Sequence, residues 1–215
     1  MINRDSDRAI VYVVDDDPAV GQALAFLLRS FNLECRVYRT VQKFLDAYEG
    51  SQPGCLLLDV RMPEMSGLEF LDRIGEFGLQ LPVIMLTGHG DVPMAVHAMK
   101  SGARDFLQKP VNGQKLIEVV QRCVAQDVEN RRLWAQRDDV AERLATLSAR
   151  EREIIQRVAN GQTSKTIAHE VGLSTRTVES HRASAMKKLR VRRTYDVIRL
   201  MRSEGGADRD SAGKR

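Results

Sequence analysis

Cys55-Leu-Leu-Leu-Asp-Val-Arg-Met-Pro63 is the stretch whose reading decides the fold. Three successive leucines stop at a carboxylate, and a proline follows four residues later. A short apolar run of this kind predicts a parallel strand buried on both faces, delivering Asp59 to the loop at its C-terminal end. In open α/β sheets, ligands bind outside the carboxyl ends of the strands. Asp59 is therefore the first candidate for chemistry, although chains also leave sheets through Asp as an ordinary turn residue.

Weight comes from a second apolar run, Ile10-Val-Tyr-Val-Val14, which ends in Asp15, Asp16 and Asp17. A parallel sheet would bring these acids toward Asp59, and carboxylates held together repel unless a cation or protons intervene. Oxygen-only ligands favour a hard ion. A small site that leaves several waters on its ion suits Mg2+.

Working outward, residues 10 to about 125 alternate apolar strands with amphipathic helices, the pattern of a parallel sheet covered on both faces. The expected strands are Ile10–Val14, Glu34–Tyr38, Cys55–Leu58, Val83–Leu86 and Asp105–Leu107. Pro18 opens a helix with Val20, Leu24, Leu27 and Leu28 on one face, and further helices are expected near Val41–Tyr48, Leu68–Phe77, Pro93–Met99 and from Gly113. This is an α/β, doubly wound, five-stranded parallel sheet. Two more strand ends carry polar groups, Thr87 before glycines and Lys109 before Pro110. Singly these are a turn residue and a surface lysine. Together with the acids they supply an acceptor, a metal pocket, a hydroxyl donor and a counter-cation, which a phosphoryl group on Asp59 would require.

The 215 residues allow one or two domains, and the net charge of +4 conceals an asymmetry. Residues 1–125 hold 13 basic and 16 acidic side chains, whereas residues 148–204 hold 13 basic and 6 acidic. The second segment has the charge of a domain that meets phosphate backbones, or of a solvated basic surface. The first residues carry no apolar signal segment and no run reaches the roughly 20 apolar residues of a membrane span, so a cytoplasmic protein without a membrane partner is expected. Cys35, Cys55 and Cys123 form no close pair, which fits a reducing compartment.

From Ser148 the chain reads as short capped helices. Ser148-Ala-Arg-Glu151 is a capping box, and Ile154, Ile155, Val158 and Ala159 supply an apolar face before Gly161. A second helix spans about Lys165 to Val171, and Ser174 caps a third, Thr175–Leu189. Thr194 is expected to cap a fourth that reaches about Arg202. Two helices joined by a three-residue turn, the second richly polar, fit a helix-turn-helix in a separate all-α, four-helix domain. Residues 126–147 read as a plain helical linker, or as a short paired seam on Leu133, Val140, Leu144 and Leu147. The resulting division is 1–125, 126–147, 148–204 and a disordered tail over 205–215.

Val13-Val-Asp-Asp-Asp-Pro18, Leu58-Asp-Val-Arg-Met-Pro-Glu-Met-Ser-Gly67, Leu86-Thr-Gly-His-Gly-Asp-Val-Pro93, Gly102-Ala-Arg-Asp-Phe106 and Lys109-Pro110 resemble the flavodoxin-like receiver domain of bacterial two-component response regulators. Leu147-Ser-Ala-Arg-Glu-Arg-Glu153, Asn160-Gly161, Lys165-Thr-Ile-Ala168 and Ser174-Thr-Arg-Thr-Val-Glu-Ser-His-Arg182 resemble the LuxR-type DNA-binding domain. The combination looks like the FixJ-like branch. The resemblance implies that a sensor histidine kinase phosphorylates Asp59. It further implies that Asp15, Asp16, Asp59 and the Arg61 backbone carbonyl hold Mg2+, that Thr87 and Lys109 contact the phosphoryl oxygens, and that Phe106 turns inward as a switch. A cis Lys109–Pro110 bond is implied as well, while Val111 departs from the aromatic often found at its position.

Phosphorylation is then expected to make a homodimer through the helix Pro93–Met99 and strand Asp105–Leu107 face. In the DNA-reading helix, Arg176, Glu179, Ser180 and Ala183 are expected to face bases, and Lys165, Thr177, Arg182 and Lys187 to face phosphates of promoter DNA. No Gly-x-x-x-x-Gly-Lys-Ser/Thr loop occurs, so recruitment of RNA polymerase holoenzyme by contact is the implied route. Arg61 and His89, two residues after Asp59 and Thr87, offer no carboxylate or carboxamide to orient a water, which predicts slow self-dephosphorylation. Two other classes remain open. A haloacid-dehalogenase-type Mg-dependent phosphatase would need an acid two residues after Asp59, where Arg61 stands. A protein-interaction switch would bind a partner, not DNA, through the helical domain.

Overall fold

The computed structural model describes residues 9–88 and 90–205, without the side chains of 202–205. The expectations placed on the first eight residues, on His89 and on the tail after residue 205 lie outside the described residues. The chain divides into two compact units, Met1–Arg131 and Arg132–Arg215.

In the first unit, β1 (Ile10–Val14), β2 (Glu34–Tyr38), β3 (Gly54–Asp59), β4 (Val83–Thr87) and β5 (Asp105–Gln108) form one parallel sheet in the order β2-β1-β3-β4-β5. β1 and β3 are buried at every position, because each face of the sheet is covered. Side chains alternate between two cores. Ile10, Tyr12, Val14, Leu56, Leu58 and Met85 pack with Phe44 and Phe70 of α2 (Val41–Ala47) and α3 (Gly67–Asp72). Val11, Val13, Cys55, Leu57, Ile84 and Leu86 pack with Leu24 and Leu28 of α1 (Pro18–Ser30) and with Leu116 and Val120 of α5 (Gly113–Ala145). The order reverses between β1 and β3, and that crevice is where Asp15 and Asp59 leave the sheet.

The single helix expected over Leu68–Phe77 is instead α3 followed by a 3-10 turn, Ile74–Phe77. Arg73 leaves the helical region at φ −106°, ψ 5°, and Gly78 closes the turn at φ 65°, a left-handed conformation that glycine adopts freely. α4 (Val92–Lys100) is capped by Asp91, whose side chain accepts from Met94 N–H at 2.8 Å.

The residues read as a linker are divided between the units. Asp127 and Arg131 on α5 bind into the first unit, whereas Val140, Leu144 and Leu147 join the core of the second with Ile155, Ala185, Leu189 and Val197. A free seam is therefore corrected to a bundle core for three of its four members; Leu133 stays 44 % exposed.

The second unit continues through α6 (Ala149–Ala159), α7 (Ser164–Val171), α8 (Thr175–Lys188) and α9 (Thr194–Gly205). The Ser148–Glu151 capping box is present in both directions. Gly172 at φ 69° ends α7, and Ser174 caps α8, which makes the three-residue turn of the helix-turn-helix. Thr194, expected as a cap, is the first residue of α9. Within the first turn of α9, the Asp196 carboxylate accepts from Arg193 N–H at 3.2 Å.

Candidate functional sites: an acidic strand-end pocket and a basic helix

Asp15, Asp59 and Thr87 are buried at the C-terminal ends of β1, β3 and β4. Lys109, just after β5, spans the acids: its Nζ donates to Asp15 Oδ2 and to Asp59 Oδ1, both at 2.5 Å. The other oxygen of Asp59 accepts from Arg61 N–H at 2.8 Å, and Asp15 Oδ1 accepts from Asp17 N–H at 3.1 Å. Lys109 is placed by its own backbone, whose N–H donates to the Thr87 carbonyl at 2.7 Å. The Lys109–Pro110 peptide bond is cis, as the resemblance implies.

Burial pushes the Asp15 carboxyl up, against the Lys109 ammonium and the Asp17 amide, which pull it down. For Lys109, burial pulls the pKa down but the bonds to Asp15 and Asp59 outweigh it, so the ammonium is held charged. Two buried carboxylates share one cation here, and the pocket keeps an excess of negative charge. Asp16 stands beside it half-buried, whereas Asp17 is drawn off as the cap of α1, accepting from Ala19 N–H at 2.8 Å. The donor set is oxygen only and fits a hard divalent cation. Among the described residues no three acidic, His or Cys side chains form a ready-made metal cage.

Two glycines that sequence reasoning passed over shape this pocket. A Cβ on Gly67 would lie 2.1 Å from the Asp59 carbonyl oxygen, so α3 can begin there only without a side chain. A Cβ on Gly90 would meet Thr87 Cγ2 and the Phe106 ring at 2.8 Å each. Thr87 and the half-buried Phe106 therefore share one backbone gap. The local signal for both was a glycine in the loop after a strand-end polar group, eight residues beyond Asp59 and three beyond Thr87, which reads equally as a turn.

A further missed group lies at the opposite edge of the sheet. Asp127 is fully buried, and its Oδ2 accepts from Gly54 N–H at 2.9 Å and from Arg131 Nε at 2.7 Å. Arg131 also donates to the Gly50 carbonyl at 2.7 Å. In sequence both residues are simply charges on a polar helix.

In the second unit, α8 buries Val178 and Ala185 and exposes Arg176, Glu179, Ser180, Ala183 and Lys187 along one side. Lys165 on α7 is exposed too. Thr177 is half-buried, its hydroxyl 2.7 Å from the Ser174 hydroxyl. Arg182 differs from expectation. Its guanidinium donates to Ser164 Oγ at 3.4 Å and to Thr194 Oγ1 at 2.6 Å, tying α8 to α7 and α9 inside the bundle. Glu151 is buried and takes Lys188 Nζ and Ser184 Oγ, both at 2.6 Å, as well as the Ser148 amide. Lys188, Ser184 and the Ser148 amide hold its carboxyl down at about 2.

Comparison with known proteins follows the same division. Residues 11–121 match the model of the response regulator receiver domain, and residues 145–201 match that of bacterial regulatory proteins of the luxR family. The transcriptional regulatory protein FixJ of Azorhizobium caulinodans is 43 % identical over 94 % of this chain and 96 % of its own. The chain belongs to the FixJ-like response regulators. Response regulator protein TodT of Pseudomonas putida is 39 % identical over 91 % of this chain and 86 % of its own. The solved structure of response regulator StyR superposes with a TM-score of 0.86 at 36 % identity, covering 91 % of this chain and 99 % of that one.

As a FixJ-like regulator the protein is a phosphorylation-dependent transcription regulator, not a member of a classical enzyme family. The phosphatase reading falls with that membership. Its two domains imply a histidine kinase as partner and DNA as ligand. Receiver domains generally bind Mg2+ at the phosphorylation site. Among the described residues no helix is long and apolar enough to cross a membrane.

Proposed function

We propose that Asp59 is the phosphoacceptor of this regulator and that the output is cooperative binding of promoter DNA. The observation that carries the reading is Lys109 held at 2.5 Å from both Asp15 and Asp59, beside buried Thr87, at the point where the sheet order reverses. One oxygen of Asp59 attacks the phosphorus of a kinase phosphohistidine. The new P–O bond forms as the P–N bond breaks, and its electron pair returns to the imidazole. Lys109 and the Thr87 hydroxyl then hold phosphoryl oxygens, a charge-assisted arrangement in a site largely closed to water. Asp15, Asp16, Asp59 and the Arg61 carbonyl would hold Mg2+, which when bound neutralises the acidic pocket that an incoming phosphoryl anion must enter. Arg61 is exposed and supplies no acid or amide to aim a water, which supports slow self-dephosphorylation.

Movement of Thr87 toward the phosphoryl group would vacate space beside Gly90 for Phe106 and reshape the α4–β5 face. That face is open and apolar, with Val92, Val96 and Met99 exposed by 76 %, 46 % and 49 %, which supports receiver pairing on phosphorylation. Pairing raises the effective concentration of the second DNA-reading bundle without any new base contact. Arg176, Glu179, Ser180 and Ala183 then face bases, and Lys165, Thr177 and Lys187 face phosphates, with Arg182 positioning α8 from within. Polymerase holoenzyme is recruited by contact, in the cytoplasm. Asp59→Asn, nearly isosteric but a poor nucleophile, is expected to take up no radiolabel from phosphorylated kinase or acetyl phosphate while keeping the wild-type circular dichroism. Undiminished uptake by that variant overturns the assignment.

A further inference from the structure

The basic surface of the second unit does not stop at the end of α8. Between Leu189 and Thr194 the chain reads Arg190-Val-Arg-Arg193, and Tyr195 follows at 72 % exposure. Val191 packs against the bundle core, while Arg190, Arg192 and Arg193 stand in solvent. Five of the eight acidic side chains described in the second unit are engaged elsewhere. Glu151 pairs with Lys188, Glu153 with Arg150 and Arg157, Glu170 with Arg157, and Asp139 with Arg143. Asp196 commits an oxygen to the Arg193 amide. Among the described residues none of the three arginines makes an ion pair. Three like charges within four residues repel one another, and a bound polyanion removes that cost.

Their position selects the polyanion. Arg190 N–H donates to the Lys187 carbonyl at 3.1 Å and Val191 N–H to the Met186 carbonyl at 3.0 Å, which folds the segment onto the C-terminal end of α8. Arg182, in the middle of α8, fastens the other end through Thr194 at 2.6 Å. At about 1.5 Å per residue, α8 spans about 20 Å. A major groove is only about 12 Å wide. A helix that reads bases through its first turns therefore reaches the sugar-phosphate wall near its C-terminal end, where Lys187 and this arginine segment lie.

We propose that Arg190, Arg192 and Arg193, together with the Tyr195 hydroxyl, form a second contact to the phosphate backbone of the DNA whose major groove α8 occupies. The inference rests on the DNA-reading role given above. Guanidinium forks suit bidentate phosphate contacts, and an exposed tyrosine hydroxyl beside them adds a donor to the same strand. The segment fixes orientation and affinity and reads no base.

Full-length wild type, R192Q/R193Q, R192K/R193K, Y195F and R199Q are titrated by fluorescence anisotropy with a random-sequence DNA duplex pool across a salt series. The double glutamine variant is expected to lower the slope of log K against log salt by about 0.9 per lost contact, hence by about 1.8. At about 0.1 M salt that corresponds to roughly tenfold to sixtyfold weaker binding. The lysine pair keeps the slope, Y195F loses affinity severalfold at unchanged slope, and site selection returns the wild-type sequence for each variant. R199Q, an exposed arginine further along α9, leaves the slope unchanged. An unaltered slope in R192Q/R193Q, with wild type binding normally, overturns this inference alone. An equal drop in R199Q overturns it in favour of generic net charge. Wild type that binds no duplex at any salt overturns the DNA-reading role itself.

Discussion

Replacing Asp127 by alanine tests whether the buried carboxylate at the far edge of the sheet holds the first part of α5 to the receiver. The side chain is completely inaccessible, and its loss strands two donors, Gly54 N–H at 2.9 Å and Arg131 Nε at 2.7 Å. A buried amide left unpaired costs about 1–3 kcal/mol. Breaking a fully buried ion pair from one side costs about 3–5 kcal/mol. Arg131 sits below that range, because its side chain is 22 % exposed and keeps the Gly50 carbonyl at 2.7 Å. Part of the loss is returned, since Asp127 Oδ1 is itself buried without a hydrogen-bond partner. The net expectation is about 3 kcal/mol, or a fall of about 10 °C in the Tm of a unit this size. Asp127→Asn, which keeps one acceptor for Gly54, should cost about half as much. Tyr12, Tyr38 and Tyr48 are buried or half-buried in the first unit, whereas Tyr195 of the second is 72 % exposed, so the tyrosine band of the near-ultraviolet circular dichroism follows chiefly the first unit. Fluorescence of Trp134, the one tryptophan of the chain, follows the second unit. A tyrosine transition shifted by less than about 3 °C, or an equal shift in both signals, refutes the reasoning.

Gly90→Ala places a methyl 2.8 Å from both Thr87 and Phe106, so it is expected to destabilise the receiver by about 1–3 kcal/mol and to uncouple phosphorylation from dimer formation, read by light scattering with and without acetyl phosphate. Glu151 has its carboxyl depressed to about 2, so the stability it lends is complete above the ordinary value of 4.5 and is lost as pH falls toward 2; acid unfolding followed at Trp134 should lose that component in Glu151→Gln. Arg61→Asn supplies an amide able to orient water beside Asp59 and is expected to quicken decay of the labelled protein; unchanged or slower decay contradicts the account of its lifetime.

What the sequence determined unaided is what depends on neighbours along the chain. Apolar runs that stop at Asp59, Asp15, Thr87 and Lys109 place these groups at strand ends, because an element buried on both faces must read as continuous apolar sequence, and a parallel sheet then has one edge on which all the ends converge. Caps such as Ser148 and Ser174 are legible for the same reason, each acting on an amide three residues away. Other roles depended on partners far away in the chain. Asp127 reaches Gly54 across 73 residues, Arg182 turns inward to Thr194, and Val140, Leu144 and Leu147 fill a core, not a seam. On a helix written largely in charged residues, a solvated carboxylate and a buried one have the same local spelling. Their difference is set by what the tertiary fold lays over them, because a buried polar group persists only where packing brings it a partner, and no periodicity in the chain names that partner.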